Sequence, residues 1–226
     1  MANSINEQYN YAGPESLSIK IATSVRARMF TVFMEELQPA KSDQVLDIGV
    51  TGDRTYSSSN YFEALYPYKE QIIAAGLDNA AFLEEQYPGS KFLFANVLSL
   101  PFQDNSMDFV HCSAVWEHVG NRENQKTLLA ECLRVAKKGV FLTTPNRWFP
   151  IEFHTQLPLV HWLPKKLFRI LLRRTRFSEL ADERNLNLLT ASEIQEFLKS
   201  HPDWTSQINY IRLLGWPSNL LTIARR

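Results

Sequence analysis

Five short apolar segments alternate with segments of helical pattern along residues 44–145, and this alternation limits the possible folds more than any other feature. The segments are continuously apolar, as in strands that are buried on both faces. Strands that alternate with helices are joined by right-handed crossovers and form a parallel sheet. The sequence therefore predicts an α/β protein with a doubly wound, three-layer sheet. Its predicted strands are 44–50, 71–78, 91–97, 107–115 and 139–145.

The C-terminal part has a different pattern. "SQINYIRLLGW" and "SNLLTIARR" read as two strands joined by a turn at Pro217–Ser218, which predicts an antiparallel end to the sheet. Thr190 and Glu193 are spaced as a capping box at the start of a helix. The predicted helices are 16–37, one within 55–69, 79–87, 123–138, 163–177 and 189–200. We expect one domain over residues 1–226, with an N-terminal helical extension at 1–40 and a substrate-side lid at 146–188.

The composition is that of a soluble globular protein without bulk charge. The 226 residues contain 24 Lys and Arg against 24 Asp and Glu, so general attraction to nucleic acid is not expected. Cys112 and Cys132 are predicted to be buried, reduced thiols. The first 16 residues are polar, unlike a signal peptide, and no apolar run reaches the roughly 20 residues of a membrane span. A cytoplasmic location is expected.

Residues suited to a nucleoside ligand follow successive predicted strands. Gly49 ends the first strand, Asp78 the second and Asn96 the third, while the fourth runs into "SAVWEHVGN" from Ser113. In an open parallel sheet, ligands bind at the carboxyl ends of the strands, where the strand order reverses. Glycine lets the backbone approach a ligand, a carboxylate accepts hydrogen bonds from a ribose diol, and an amide recognises an adenine edge.

These stretches resemble those of a class I S-adenosylmethionine (SAM)-dependent methyltransferase of the small-molecule branch. The resemblance rests on "LDIGVTGD", "GLD", "FANVLSLPFQDNSMDFV", "WEHV" and "CLRVAKKGVFLTTPN", in that order, and on the terminal hairpin. It covers about residues 40–150 by motif and the tail by architecture. It implies a Rossmann-like, mostly parallel sheet with an antiparallel C-terminal strand, and SAM as the cofactor. The cofactor-binding residues it implies are Asp47, Gly49, Val50, Thr51, Asp78, Asn79, Asn96, Val97 and Ser113.

The glycine loop departs from the family's usual Asp-x-Gly-x-Gly-x-Gly. Thr51 and Asp53 stand where glycines are usual, and Gly52 is shifted by one position. The extra length falls in "TYSSSNYFEALYP", which we expect to close over the cofactor. The Thr51 hydroxyl or the Asn60 amide would then replace backbone contacts. Asp53 would hold the ammonium group of SAM, or, in the opposite interpretation, would repel its carboxylate and leave the site inactive.

Histidines supply the candidate catalytic group. His118 beside Glu117 is a candidate general base, because imidazole titrates near neutral pH, although an "EH" dipeptide here is also typical of a pocket wall. His154 and His161 lie near Glu152 but are 7 residues apart and interrupted by prolines. This is no standard metal spacing, so no metal is expected and a lid over the acceptor is favoured.

The segment 163–177 predicts an amphipathic basic helix with six cations and no acid. Such a helix either contacts an anionic membrane or a phosphorylated substrate, or packs on the domain with a solvated basic face. The cations are Lys165, Lys166, Arg169, Arg173, Arg174 and Arg176.

The predicted function is methyl transfer from SAM to a small-molecule acceptor, at a hydroxyl of a sugar, a lipid-linked compound or a secondary metabolite. Enzymes that methylate nucleobase amino groups carry (Asn/Asp)-Pro-Pro-(Tyr/Phe/Trp) where this chain has "SAVW", so base methylation is disfavoured. The alternative is an inactive methyltransferase fold with a binding or regulatory role. A nicotinamide oxidoreductase is disfavoured because Gly-x-Gly-x-x-Gly is lacking.

Overall fold

The computed structural model describes residues 16–56 and 58–226. The helices are α1 (Leu17–Leu37), α2 (Tyr61–Leu65), α3 (Phe82–Gln86), α4 (Arg122–Val135), α5 (Lys165–Leu172) and α6 (Ala191–Leu198). The strands are β1 (Val45–Ile48), β2 (Ile72–Gly76), β3 (Lys91–Phe94), β4 (Met107–Ser113), β5 (Ala136–Pro145), β6 (Thr205–Leu213) and β7 (Trp216–Arg225). Residues 1–15, which were predicted not to be a signal peptide and to begin the N-terminal extension, lie outside the described residues.

The strands form one sheet in the order β3-β2-β1-β4-β5-β7-β6. β1 to β5 pair in parallel, whereas β7 is antiparallel to both β5 and β6. The predicted fold class, mostly parallel with an antiparallel C-terminal end, is confirmed. The chain runs outward from β1 through β2 to β3 and then returns to place β4 on the other side of β1. The strand order therefore reverses between β1 and β4, and the switch point lies at the carboxyl ends of these two strands.

The sheet is covered on both faces, which confirms the three-layer arrangement. On one face, α4 packs against the sheet through the apolar positions predicted for it, and α6 packs in the same cluster. Trp116 is fully buried among them. On the other face, α1 contributes Val25, Met29, Phe33 and Leu37 against α2. Cys112 and Cys132 are both buried and free.

Several boundaries predicted from the sequence are wrong, among them the end of the basic helix, which was predicted at 177 but lies at Leu172, so Arg173 and Arg174 follow the helix. The hairpin turns at Leu214–Gly215 rather than at Pro217–Ser218, because both turn residues adopt positive φ, 50° and 84°, as a two-residue hairpin loop requires. The fourth helix ends at Val135, and β5 begins at once at Ala136. The exposed Lys138 ammonium lies 3.1 Å from the Asp108 carboxylate of β4, which favours the strand over another helical turn.

The prediction that all strands are buried on both faces is wrong for β3. It is one of the two edge strands of the sheet, and its side chains Leu93 and Phe94 are 38% and 60% exposed. An edge strand has a neighbour on only one side, so an apolar sequence there does not imply burial.

The chain between β5 and α6 has a small apolar cluster of its own. Phe168 and Leu172 of α5 pack against Phe177 and Leu180. Its ends are fastened to the sheet side by a bridge between Asn146 and Leu189. The predicted capping box is present, since the Thr190 hydroxyl accepts from the Glu193 N–H and the Glu193 carboxylate accepts from the Thr190 N–H. No helix of the described chain is both long and apolar enough to cross a membrane.

Candidate cofactor site and acceptor side

The loop after β1 turns sharply onto the end of β2. The N–H groups of Gly49 and Val50 both donate to the Ala75 carbonyl, at 2.8 and 3.3 Å. Gly49 has φ +98°, and a Cβ there would lie 2.1 Å from a methyl group of Val115. A Cβ on Gly76 would lie 2.4 Å from the Val50 carbonyl oxygen. Glycine at both positions therefore permits an approach that a side chain would block.

Side chains within the loop hold its altered residues. The Thr51 N–H donates to the Asn60 amide oxygen at 2.9 Å, and the Asn60 amide nitrogen donates to the Thr51 carbonyl at 3.0 Å. The buried Asp53 carboxylate accepts from the Thr55 N–H and the Ser59 hydroxyl, both at 2.7 Å. The loop thus satisfies its own polar groups although Thr51 and Asp53 stand where the family usually has glycines. The Asp53 carboxylate is engaged inside the loop, where it has no need of a ligand's ammonium group.

The segment 55–67, expected to close over the cofactor, is in part built into the core. Tyr61, Phe62 and Glu63 of α2 are buried, as is Tyr66 behind them. Phe62 packs edge-on against Phe33 of α1, with ring centroids 5.1 Å apart. From Tyr61 onwards, therefore, this segment is a packed element rather than a lid.

The remaining predicted cofactor residues lie along the carboxyl edge of the sheet. Asp78 and Asn79 follow β2, and a Cβ on Gly52 would lie 2.9 Å from the Asn79 carbonyl oxygen, so the loops after β1 and β2 touch. The exposed Asn96 follows β3 and accepts the Leu98 N–H at 3.0 Å. The other two are Val97, which is buried, and Ser113, whose hydroxyl lies 2.8 Å from that of Thr143.

A buried polar cluster lies directly beneath this edge, and the sequence did not reveal it. Asp47 of β1 and His111 of β4 are paired in register, and the His111 ring bonds to the Asp47 carboxylate through Nδ1. The other ring nitrogen lies 2.9 Å from the Tyr61 hydroxyl. Glu63 is fully buried, and neither of its oxygens has a hydrogen-bond partner unless a proton joins it to the neighbouring Asp47 carboxyl.

Burial controls the protonation of this cluster. Desolvation raises the pKa of Asp47 to about 7, against the opposing hydrogen bonds from Glu63 and the Ile48 backbone. Desolvation, and next the charge of Asp47, raise the pKa of Glu63 well above its ordinary value. Burial lowers the pKa of His111 to about 3, so the imidazole stays neutral. The Asp47 and Glu63 carboxyls therefore share a proton at neutral pH, because two adjacent buried carboxylates cannot both be charged.

Comparison with known proteins finds one matching family model and many solved structures of similar fold. A family model described as "Methyltransferase domain" matches residues 47–144. A SAM-dependent methyltransferase from Methanosarcina mazei has a TM-score of 0.57 at 16% identity, covering 86% of this chain and 96% of that one. Magnesium protoporphyrin IX methyltransferase from Synechocystis, solved with bound SAH, has a TM-score of 0.57 at 14% identity, covering 97% and 92%.

A Haloferax volcanii methyltransferase solved in complex with the Trm112 methyltransferase activator has a TM-score of 0.59 at 13% identity, covering 92% of this chain and 91% of that one. No curated protein sequence matches the chain. The matched residues span β1 to β5, the part of the sheet that carries the switch point. This chain contains a methyltransferase domain. Together with the sheet order, the match supports a class I SAM-dependent methyltransferase and implies SAM as its cofactor.

The residues of the methyltransferase fit SAM along the carboxyl edge. Asp78 offers a half-buried carboxylate, and the adjoining loops after β1 and β2 come close only because Gly52 and Gly76 lack side chains. A cavity of about 30 Å³ opens between Gly49 and Ser113. It has room for roughly one small group. Arg26 of α1 lines it, and its guanidinium donates to the Ser58 carbonyl and hydroxyl at 3.0 and 2.9 Å.

A larger cavity, of about 300 Å³, lies beside the same loop. Its lining includes Arg54, Phe82, Leu83 and Tyr87, and the Arg54 guanidinium stacks 4.2 Å above the Phe82 ring. Neither Asp78 nor Asn96 lines it, whereas Asp53 of the glycine loop and Asn60 do.

On the acceptor side, the methyltransferase brings together residues that are distant in sequence. The predicted base His118 and His154, a residue of the predicted lid, face each other with their Nε2 atoms 3.1 Å apart. His154 Nδ1 lies 2.7 Å from the Glu152 carboxylate, and Glu117 is fully buried beside His118. His161 is not part of this cluster; its Nε2 donates to the Phe149 carbonyl at 2.7 Å.

These contacts set opposite pKa values for the two histidines. Burial, and next the neighbouring His154, lower the pKa of His118 to about 3. Burial acts in the same direction on His154, but the Glu152 carboxylate outweighs it and raises the pKa of His154. Although burial opposes it, the pairing with His154 lowers the pKa of Glu152 to about 2.

The buried carboxyl pair predicts a pH-dependent effect of Glu63→Gln on stability. A glutamate that stays protonated in the folded protein ionises more readily in the unfolded chain, where its pKa is about 4.3. The free energy of unfolding therefore falls as pH rises above this value, by up to about 1.4 kcal/mol per pH unit. Glutamine cannot ionise, so the melting temperature of Glu63→Gln should rise relative to the parent protein as pH increases from 4 to 8. Thermal unfolding across this range checks it, with the exposed Glu85→Gln as control. A Glu63→Gln difference that stays constant with pH would contradict the shared proton.

Proposed function

We propose that this methyltransferase transfers the methyl group of SAM to a hydroxyl of a small, lipid-linked acceptor. The observation that supports a lipid-linked acceptor is the outer face of α5, on which apolar and cationic side chains are exposed together. A hydroxyl is a weak nucleophile and needs a group that takes its proton. The histidines and carboxylates on the acceptor side support this choice, and we keep His118 as the candidate residue for that step.

In this proposal, the strand ends hold the nucleoside. The Asp78 carboxylate accepts hydrogen bonds from the ribose diol, and Asn96 with the Val97 backbone recognises the adenine edge. The backbone of Gly49, Val50 and Thr51, together with Asn79 and Ser113, borders the rest of the cofactor. Asp47 acts from below by fixing β1 against β4.

We add Arg26 to the predicted set. It lines the small cavity between Gly49 and Ser113, and its guanidinium is suited to a carboxylate. Burial lowers the pKa of Arg26, while Tyr61 and Asp53 act in the opposite direction. An anion beside the guanidinium would therefore stabilise a positive charge that has lost its contact with water. The carboxylate of the SAM methionyl group is such an anion.

The face of α5 supports contact with a lipid surface. Leu167, Ile170 and Leu171 are 49%, 39% and 45% exposed, and they lie at helical spacing on one side. Exposed Lys166, Arg173 and Arg174 flank them. Two other cations point inward instead: Lys165 lies 2.8 Å from the Asn187 amide oxygen, and Arg169 lies 3.0 Å from the Glu183 carboxylate. An apolar stripe between cations is typical of a helix that lies on an anionic membrane.

Asp78→Ala should weaken the binding of S-adenosylhomocysteine at least tenfold. Each hydrogen bond to a charged group contributes about 1.5–3 kcal/mol, and two would be lost. Titration calorimetry on the purified protein measures the change, with thermal unfolding as a check of the fold. The exposed Asp203→Ala serves as the control that removes a carboxylate elsewhere. Equal affinities of Asp78→Ala and the parent protein would refute the assignment of Asp78.

Reversing Arg173 and Arg174 to Glu should abolish most binding to vesicles that contain anionic lipid. Each cation near such a surface contributes about 1 kcal/mol, and added salt should diminish the binding of the parent protein. Vesicle co-sedimentation at low and high salt measures this. Lys91→Glu with Lys199→Glu changes the net charge equally at exposed sites elsewhere. If both double variants lost binding equally, the effect would be one of net charge, and α5 would not be the contact.

The function itself is tested with SAM that carries a labelled methyl group, incubated with the protein and a membrane lipid extract. We expect label in a chloroform-soluble product that resists mild alkali, as a methyl ether does. Label that alkali releases as methanol would indicate a carboxyl acceptor. Label confined to water-soluble compounds would contradict a lipid-linked acceptor.

A further inference from the structure

The geometry points to a divalent transition-metal site of the zinc class, formed by Glu117, His118 and His154. The ligand atoms of these three residues all lie within 4.8 Å of one another. His118 Nε2 is 3.1 Å from His154 Nε2 and 3.9 Å from Glu117 Oε1. This site goes beyond the proposed function, because a metal ion on Nε2 would prevent His118 from acting as the general base. Metal binding is measurable on protein that holds neither cofactor nor acceptor.

The second ring nitrogen of each histidine is already fixed by an acceptor. His118 Nδ1 lies 2.6 Å from the Asn185 carbonyl oxygen, which can only accept, so this nitrogen carries the hydrogen. His154 Nδ1 donates to the Glu152 carboxylate, which also accepts the N–H groups of His154 and Thr155. Metal-binding histidines are oriented in this way, with the far N–H held by a carbonyl or a carboxylate.

Three acceptor atoms consequently converge on one point. With hydrogens on both Nδ1 atoms, the Nε2 lone pairs of His118 and His154 face each other and repel unless a positive charge lies between them. One proton could join the two rings. It would leave Glu117 Oε1 buried without a hydrogen-bond partner among the described residues, which is unfavourable. A metal ion satisfies all three atoms together.

The donor set selects the class of metal. Two imidazole nitrogens and one carboxylate oxygen are the protein ligands of several catalytic zinc sites, with a fourth position open. Bonds of about 2.0–2.2 Å in a tetrahedral site put ligand atoms roughly 3.3–3.6 Å apart. Two of the three separations, 3.1 and 3.9 Å, bracket this range, and the third, between His154 and Glu117, is within 4.8 Å. Side-chain movements would therefore complete the site. Mg²⁺ and Ca²⁺ prefer oxygen ligands and fit this set poorly.

The outer contacts of the cluster are also in place. The other Glu117 oxygen accepts the Thr144 hydroxyl at 2.8 Å, which leaves Oε1 directed at the histidines. The side chains of His118 and His154 are 17% and 13% exposed, so an ion has a path from solvent. His118 follows β4 and His154 follows β5. An ion there would border the acceptor side of the enzyme.

The test uses the full chain without a histidine tag, stripped with a chelator and then dialysed against Zn²⁺ or Co²⁺. We expect one metal per chain by elemental analysis. The Co²⁺ protein should absorb in the visible with the intensity of a four-coordinate site. His154→Ala and Glu117→Gln should each weaken binding at least about a hundredfold, because even the loss of an outer contact costs 10–100-fold. Glu152→Gln, which alters such an outer contact, should cost about 10–100-fold.

His201→Ala removes a histidine outside the cluster and should leave both stoichiometry and affinity unchanged. Less than 0.1 metal per chain in the parent protein, at a free Zn²⁺ concentration of about 10 µM, would overturn the site and leave a proton shared by the two rings. Equal Zn²⁺ affinity in the parent, His154→Ala and Glu117→Gln proteins would overturn it as well. The parent stoichiometry and the Co²⁺ spectrum decide the question even where a variant fails to fold.

Discussion

The bond between Asp47 of β1 and His111 of β4 joins the two strands between which the sheet order reverses. Tyr61 and Glu63 connect this pair to α2, so the loop that follows Gly49 is fastened from beneath by polar contacts inside the core. Such a cluster is unfavourable unless each member has a partner or a shared proton. Because the buried cluster is stable only when these contacts are made, it holds the loop after Gly49 in one arrangement.

This arrangement explains how the loop dispenses with the glycines that the family usually has. In place of a flexible backbone, the Thr51–Asn60 pair and the Asp53 carboxylate satisfy the polar groups of the turn. Glycine is kept where two backbones meet, at Gly76 against Val50 and at Gly52 against Asn79. The altered motif is consequently a different way of building the same turn.

Most of the sheet could be predicted from the sequence, because buried parallel strands and their helices leave strong local patterns. Gly49, Asp78 and Asn96 could be found because they end successive strands. The turn at Leu214–Gly215 could not be predicted, because leucine rarely adopts the positive φ that Leu214 has here. The cluster beneath the site was missed for another reason. Glu63 lies in the segment that was predicted to contain a helix within 55–69 and to close over the cofactor, and only tertiary packing shows it to be buried.

The acceptor side shows the limit of sequence spacing even more clearly. The sequence paired His154 with His161, whereas the fold places His154 against His118, 36 residues earlier in the chain. Crossover connections bring the ends of β4 and β5 together, so residues that follow two strands meet although nothing in their spacing indicates it. The segment between β5 and α6 also carries α5 with its exposed apolar and cationic face, and the proposed lipid-linked acceptor would approach from there.

The central claim is that SAM binds along the carboxyl ends of β1, β2 and β3, above the Asp47–His111 bond. A crystal structure of the complex with S-adenosylhomocysteine tests it most directly. The account predicts the ribose at Asp78, the adenine beside Asn96 and the carboxylate near Arg26, with the buried cluster unchanged. A nucleoside found instead in the cavity lined by Arg54, Phe82 and Tyr87 would contradict the account.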